Sequence, residues 1–354
     1  MKKDKNNLLQ RLLSFTGKSR GLLTLSQVLS GISALFIMAP FVCVYFAAKE
    51  LVLVFTGAEL NSAALIQWGI RAVIAEFIGL LLYFIALLCS HVVAFRTEKN
   101  LKMAALRHLS KMPLGYFETH PSGMLRKIID DNSFQTETFI AHQLPDLVGA
   151  YVTMIVSMVV MVAFDLRVGI PMVVLFAISF VLQGALMGKD SMTFMKTYQD
   201  AMESMNHEAV EYVRGISVVK VFGQTVESFT KFHKAIQDYK KNALAYTLSC
   251  RKGMVAFSSL INSGFLVLIP AGVIVALTTD DLLGFTQKFL FYLIFTPACS
   301  VMLNKIMYMT SYKMQAEEAM RRIDTILTAE PMPEAEAPAT PQNSDIAFEH
   351  VTFA

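Results

Sequence analysis

Glu76 has the strongest claim to chemistry in this chain of 354 residues, because it is a carboxylate set well inside an apolar run. A charge in a hydrocarbon environment is costly and faces a bundle interior or an aqueous cavity. Two readings follow: a substrate or proton contact, or a structural pair with a cation on another apolar run. Arg71 is a poor partner, because a five-residue offset puts the two on different faces of a helix. Gln183 and Asn262 are uncharged polar groups in two later apolar runs. Hydrogen bonding between helices is the ordinary use of such groups, and lining a substrate cavity with Glu76 is the functional one. His142 and Asp146, four residues apart, have the spacing of a metal pair or of an interfacial cap. No Ser/His/Asp or Cys/His set and no carboxylate pair at acid–base spacing can be assembled. Cys43, Cys89, Cys250 and Cys299 include no CxxC pair and read as packing residues. The residues point to binding without catalysis, and to no metal centre.

The elements that must position these groups are long and apolar. Of all residues 54% are hydrophobic and 17% charged, and the mean hydropathy is +0.49. Segments 22–48, 66–95, 144–164, 168–188, 254–278 and 282–303 are each long enough to cross a hydrocarbon core of about 30 Å as a helix. Period-two alternation is absent, so a barrel is excluded, and six spanning helices are the remaining way to satisfy the backbone in lipid. Pro40, Pro171, Pro270 and Pro297 lie in or near the ends of four spans, where they kink helices either for gating or in ordinary packing. The 21 methionines, among them Met154, Met158 and Met161, suit packing against lipid or core, or a forgiving cavity for a bulky apolar ligand.

Charge orients the spans. Residues 1–20, 96–136, 189–253 and 304–354 hold 27 of the 31 Lys and Arg. Lys49, Arg71, Arg167 and Lys288 are the rest, in or beside the connections about 49–65, 165–167 and 278–282. The positive-inside rule then puts both termini and both long connections in the cytoplasm of a multi-pass protein of the cell membrane. Leu8, Leu9, Leu12, Leu13 and Phe15 among basic residues predict an interfacial helix within residues 1–20, not a cleaved leader.

The two long connections do not have loop compositions. Residues 189–214 and 224–252 contain no proline or glycine, so spans four and five should continue as rigid arms, with Gly215 and Gly223 bracketing the tip. In the first connection 96–111 is helix-compatible, Pro113, Gly115, Pro121 and Gly123 break it, and 124–140 resumes. Two hairpins reaching this far from a membrane call for a cytoplasmic partner that moves the bundle. After the six-helix unit 21–328, residues 329–345 carry Pro331, Pro333, Pro338 and Pro341 and read as a linker. In 346–354, Ile346, Phe348, Val351 and Phe353 have the spacing of a strand.

This all-α membrane plan of six spans and two long cytoplasmic hairpins resembles the transmembrane half of an ABC transporter with the exporter-type fold. The resemblance rests on Leu109–Asp131 with its Pro113, Tyr116-Phe117 and Gly123, on the run Glu211-Tyr-Val-Arg-Gly-Ile-Ser-Val-Val-Lys220, and on Ile346–Phe353, which looks like the opening strand of a nucleotide-binding domain. It implies coupling tips that rest on nucleotide-binding domains: His120, Pro121, Ser122, Gly123, Met124 and Leu125 in the first hairpin, and a second near Tyr212–Val219, with Tyr212, Val213, Arg214, Gly215, Ile216 and Ser217. It also implies a homo- or heterodimer in which spans four and five cross to the partner. The wording around Tyr212–Lys220 and Tyr246–Arg251 is similar to the siderophore-handling subgroup. No GxxxxGK[ST] phosphate loop is present. ATP and Mg²⁺ therefore belong to a nucleotide-binding domain missing from these residues, either further along one longer chain or on a separate one. The implied function is ATP-driven export of an amphipathic or apolar compound by alternating access, with import of an iron-siderophore as the rival. A six-span secondary carrier or regulatory scaffold without ATPase is the alternative outside this class, and no nucleic-acid partner is expected.

Overall fold

The structure, a computed structural model, describes residues 8–55, 57–186, 191–216, 221 and 230–333. The chain opens with α1 (Leu8–Phe15), a 3₁₀ turn (Gly17–Ser19) and α2 (Arg20–Phe55), followed by α3 (Ser62–Leu109). Next come α4 (Leu114–Thr119), α5 (Ser122–Thr138), a π turn (Phe139–Gln143) and α6 (Leu144–Phe164). The remainder is α7 (Leu166–Leu186), α8 (Ser191–Arg214), α9 (Thr230–Asn262), α10 (Gly264–Thr278) and α11 (Leu282–Leu327). Among the described residues six helical stretches are long and apolar enough to cross a bilayer: Gly17–Val54, Ser62–Leu109, Ser122–Phe164, Leu166–Leu186, Thr230–Thr278 and Leu282–Leu327.

Several of these far exceed what a bilayer needs. The 48 residues of α3 extend about 72 Å at 1.5 Å per residue, against about 20 residues for a crossing. The surplus of α3, α5, α9 and α11 gathers with α8 at one end of the bundle, where arms are expected; 189–190, Gly223 and 224–229 of the expected second pair lie outside the described residues. The opposite end is closed by short turns, tighter than the expected connection 49–65. The apolar run Leu51-Val-Leu-Val54 keeps α2 helical to Phe55, and the Asn61 side chain caps α3 by accepting from Ala64 N at 3.0 Å. Asp281 caps α11 the same way, from Gly284 N at 2.8 Å.

The first hairpin also differs from the sequence expectation. Its break is not continuous from Pro113 to Gly123: α4 forms inside it, and α5 begins at Ser122, two residues early. Pro113 and Pro121 each stand immediately before a helix, where a missing N–H leaves no ladder bond unmade. Gly123 falls in the first turn of α5, where its low propensity does not stop the helix. The prolines at 40, 171, 270 and 297 all lie inside helices, as expected.

Packing falls into three cores. The membrane-level core is aromatic: Tyr45, Phe164, Phe291, Tyr292 and Phe295 join α2, α6 and α11, with Phe164 stacked on Phe291 at 3.7 Å. A second core seats Leu12 of α1 among Val93, Leu101, Ile140, Met320 and Ile323, which fixes the amphipathic helix to the bundle. A third, of Leu109, Met112, Leu125, Ile129 and Ile326, binds the first hairpin to the end of α11. Where polar-capable backbones approach, small residues permit it: a Cβ on Gly79 would lie 2.9 Å from Ile37 Cγ1, and one on Gly169 2.4 Å from Met161 O. Ile70, Val73, Phe77 and Phe84 of α3 face away from this bundle, a surface that only lipid or another membrane chain can cover.

Candidate coupling tips and transport path

The first tip is a corner between two helices. Thr119 ends α4, His120 is its C-cap and Pro121 precedes α5, so His120–Leu125 forms the joint itself. The His120 ring stacks on Tyr116 at 4.2 Å, and its Nδ1 lies 3.0 Å from Tyr116 O, which fixes the corner angle. Leu125 is 3% exposed and anchors the joint in the third core, while Pro121, Ser122, Gly123 and Met124 are open to solvent. Beside them the apolar side chains of Leu114 (86% exposed) and Phe117 also project outward. Sequence reasoning missed these two residues as tip surface. The signal was an apolar and aromatic residue in a segment otherwise read as a break.

The second tip is described only in part. Tyr212, Val213 and Arg214 close α8, Gly215 follows as a turn, and Ile216 is exposed; Ser217, Val218 and Val219 of the expected tip lie outside the described residues. Arg214 pairs with Glu211 at 3.0 Å, and Tyr212 stacks against Phe232 of α9 at 5.5 Å, so the two arms are zipped close to the tip. Tyr198 stacks on Tyr246 lower down, at 5.6 Å.

The three polar residues singled out within the spans are not brought into one site. Glu76 is half-buried on α3, which packs chiefly on α2, and it has no hydrogen bond or ion pair among the described residues. Arg71 is occupied elsewhere, over the Trp68 ring at 4.5 Å. Gln183 is 7% exposed on α7, and its Nε2 has no partner among the described residues. Asn262 is exposed at the end of α9 and donates to its own helix, to Ser258 O at 2.8 Å. Glu76 and Gln183 lie about 21 and 26 Å from the short-turn ends of α3 and α7, at 1.5 Å per residue, whereas Asn262 stands where α9 ends and α10 has yet to begin.

His142 and Asp146 do not form a pair. His142 lies within the π turn and Asp146 in the first turn of α6, and they take different partners: His142 packs edge-on against His91 at 4.6 Å, while Asp146 accepts from Tyr83 Oη at 2.5 Å and faces Lys305 at 3.7 Å. Among the described residues no group of three or more His, Cys, Asp or Glu is arranged to hold a metal ion.

Two further clusters join elements distant in sequence. At the short-turn end, Asp165 chelates Arg167 through both carboxylate oxygens and lies 4.0 Å from Lys288. The Arg167 hydrogen bond holds the Asp165 carboxyl below its ordinary range, although burial works in the opposite direction. The fully buried Tyr292 hydroxyl accepts from Asp165 N at 3.0 Å, and its single proton is shared between the carbonyls of Met161 and Asp165, both within donor reach. At the arm end, Arg322 of α11 bonds to Asp200 and Glu203 of α8 and to Glu318 of its own helix, the last at 3.1 Å. Glu318 also receives Arg321 Nε at 2.7 Å.

The described residues form a bundle of long apolar helices whose arms carry the first tip away from it. Known proteins resemble this chain in sequence. The mycobactin import ATP-binding/permease protein IrtA of Mycobacterium tuberculosis is 30% identical over 209 residues, 59% of this chain and 24% of that protein. Its namesake in Mycolicibacterium smegmatis is 29% identical over 217 residues, 61% of this chain and again 24% of the relative. A fatty acid ABC transporter ATP-binding/permease protein of Mycobacterium bovis is 24% identical over 343 residues, 96% of this chain and 50% of that protein. The chain thus spans between a quarter and a half of the length of the curated relatives it matches. Residues 21–297 match the family described as the ABC transporter transmembrane region, and the chain belongs to that family.

Proposed function

We infer that this chain is the membrane-spanning subunit of an ATP-driven transporter, with residues 1–20 as an interfacial helix, 21–328 as the translocating unit and 329–345 as the linker to a nucleotide-binding domain. The single observation that carries the reading is the first tip. An exposed apolar set, Leu114, Phe117 and Met124, sits on a corner locked by Tyr116–His120 stacking at the far end of the arms. Such a patch on a rigid projection fits a docking partner, and the partner this family calls for is a nucleotide-binding domain carrying ATP and Mg²⁺. The expected strand at 346–354 lies outside the described residues. A second half-transporter, identical or not, would cover the exposed apolar face of α3 and complete a cavity to which Glu76, Gln183 and Asn262 contribute. The excess of Lys and Arg in residues 1–20, 96–136, 189–253 and 304–354 supports a reading with both termini in the cytoplasm.

In this mechanism closure of two nucleotide-binding domains on ATP draws the tips together. The arms transmit that motion to the bundle and switch access to the cavity from one membrane face to the other. The cargo is an amphipathic or apolar compound, exported by default. Import of an iron-siderophore is the second reading, favoured by relatives named for mycobactin import. Transport in vesicles by the complex that includes the nucleotide-binding domains tests the coupling. Leu114→Glu with Phe117→Glu should abolish transport while membrane insertion persists, and undiminished transport would overturn the reading. Uptake of labelled siderophore by iron-limited cells, against efflux from loaded vesicles, separates the two directions.

A further inference from the structure

A cleft of about 580 Å³ lies where the N-terminal amphipathic helix turns into the first span and leans on α3, lined by Ser14, Phe15, Lys99, Asn100, Met103 and Arg107 among others. Its walls are fixed. Asn100 Nδ2 donates to Phe15 O at 2.7 Å, and Arg96 Nη1 to Ser19 Oγ at 2.8 Å, while Leu12 is buried in the second core on the inner side of the same helix. Two cations nearby are committed: Arg11 to Asp324 at 2.6 Å, and Lys102 to Glu98 at 2.9 Å and Asp130 at 3.3 Å. Lys18, beside the lining residue Gly17, has no side-chain hydrogen bond or ion pair among the described residues, and neither do Lys99 and Arg107, which line the cleft itself. Lys99 and Arg107 are both exposed. Two helical turns separate them, about 12 Å along α3, so their flexible side chains can converge on one group between them. Met103, midway between them in sequence, and Phe15 are the large apolar residues of the lining.

We propose that this cleft is a binding site for the phosphodiester headgroup of an anionic phospholipid, held between Lys99 and Arg107 with the glycerol and first acyl carbons against Met103 and Phe15. The location selects the ligand. An amphipathic helix lies at the boundary between headgroups and acyl chains, and a basic pocket beside a span at that level meets phosphate, not hydrocarbon. The unpaired charges and the apolar part of the lining match the two halves of such a molecule. The site depends neither on the transported cargo nor on the direction of transport.

Native mass spectrometry of the detergent-purified protein with equimolar phosphatidylglycerol and phosphatidylcholine tests it. Phosphatidylglycerol should be retained in preference by about tenfold, and Lys99→Gln with Arg107→Gln should bring the ratio near one. The charge-keeping pair Lys99→Arg and Arg107→Lys should preserve the preference, as should Lys288→Gln at the opposite end of the bundle. Equal retention of the two lipids by the unmodified protein would overturn the proposal, as would an unchanged ratio in the double glutamine variant or a ratio lost equally with Lys288→Gln. Displacement of phosphatidylglycerol by millimolar inorganic phosphate would assign the site to free phosphate instead and overturn the lipid as its ligand.

Discussion

Arg322 on α11 reaches across to Asp200 on α8, tying the end of the last span to the arm of the fourth. The same guanidinium bonds to Glu203 and to the buried Glu318, so one fork of donors serves three carboxylates on two helices. Arg322→Ala should free the α8 arm from α11 and cost about 1–2 kcal/mol locally, a charge-assisted contact discounted for the exposed Asp200 side. Hydrogen exchange should quicken along 191–214 while α2 and α6 stay protected. Arg322→Lys should recover only part of that protection, because a lysine offers no planar fork.

Gly169 has the tightest backbone approach at the short-turn end. Gly169→Ala drives a methyl into Met161 O, 2.4 Å from the built Cβ, and should destabilise the α6–α7 turn by roughly 1–3 kcal/mol. Gly184→Ala, with nothing within 4 Å, should be neutral or slightly stabilising through helix propensity. Unfolding titrations of the two variants in mixed micelles give the comparison.

The Asp165–Arg167 turn should respond to acid with a definite sign. The carboxyl is held below its ordinary value of 3.8, so its contribution to stability is complete above that value and disappears as pH falls through the lower, folded-state value. Hydrogen exchange at 165–169 should therefore be flat from pH 7 to 5, once corrected for intrinsic rates, and rise below about pH 4. Asp165→Asn should abolish that rise and leave the turn looser at neutral pH.

Glu76→Gln tests the cavity reading. With no partner among the described residues, its loss should leave thermal stability unchanged. Transport by the intact complex should fall about tenfold, the scale of about 1.4 kcal/mol from one charged contact. A loss of stability with unaltered transport would mark Glu76 as structural.

The parts of this fold legible in the sequence are those written in a local pattern. The amphipathic α1, the six apolar runs and the arms free of proline and glycine follow from periodicity and length alone. The corner at His120–Pro121 is also local, since each proline marks the residue before a helix. What could not be read is contact between distant positions. Nothing in the spacing of Tyr83, Asp146 and Lys305 announces that they meet, because that requires the rotations of α3, α6 and α11 to be known together. His142 and Asp146 misled for the same reason, since each takes its partner from α3, His91 for the one and Tyr83 for the other. Lys99 and Arg107 differ from Arg96 and Lys102 on the same helix only in contacts: the latter two are paired, and the former two have no side-chain partner among the described residues.

The π turn at Phe139–Gln143 sets a phase. One residue inserted into a helix of 3.6 per turn rotates everything that follows by about 100°. The tip helix α5 and the span α6 are thus one continuous rod with two independently set faces: Leu125 and Ile129 keyed to the end of α11, Asp146 and Met161 keyed to the bundle. Deleting a single residue there would leave both halves helical and both sequences intact. Yet it would turn one half out of register with its neighbours, so that the tip and the span could no longer be seated at the same time.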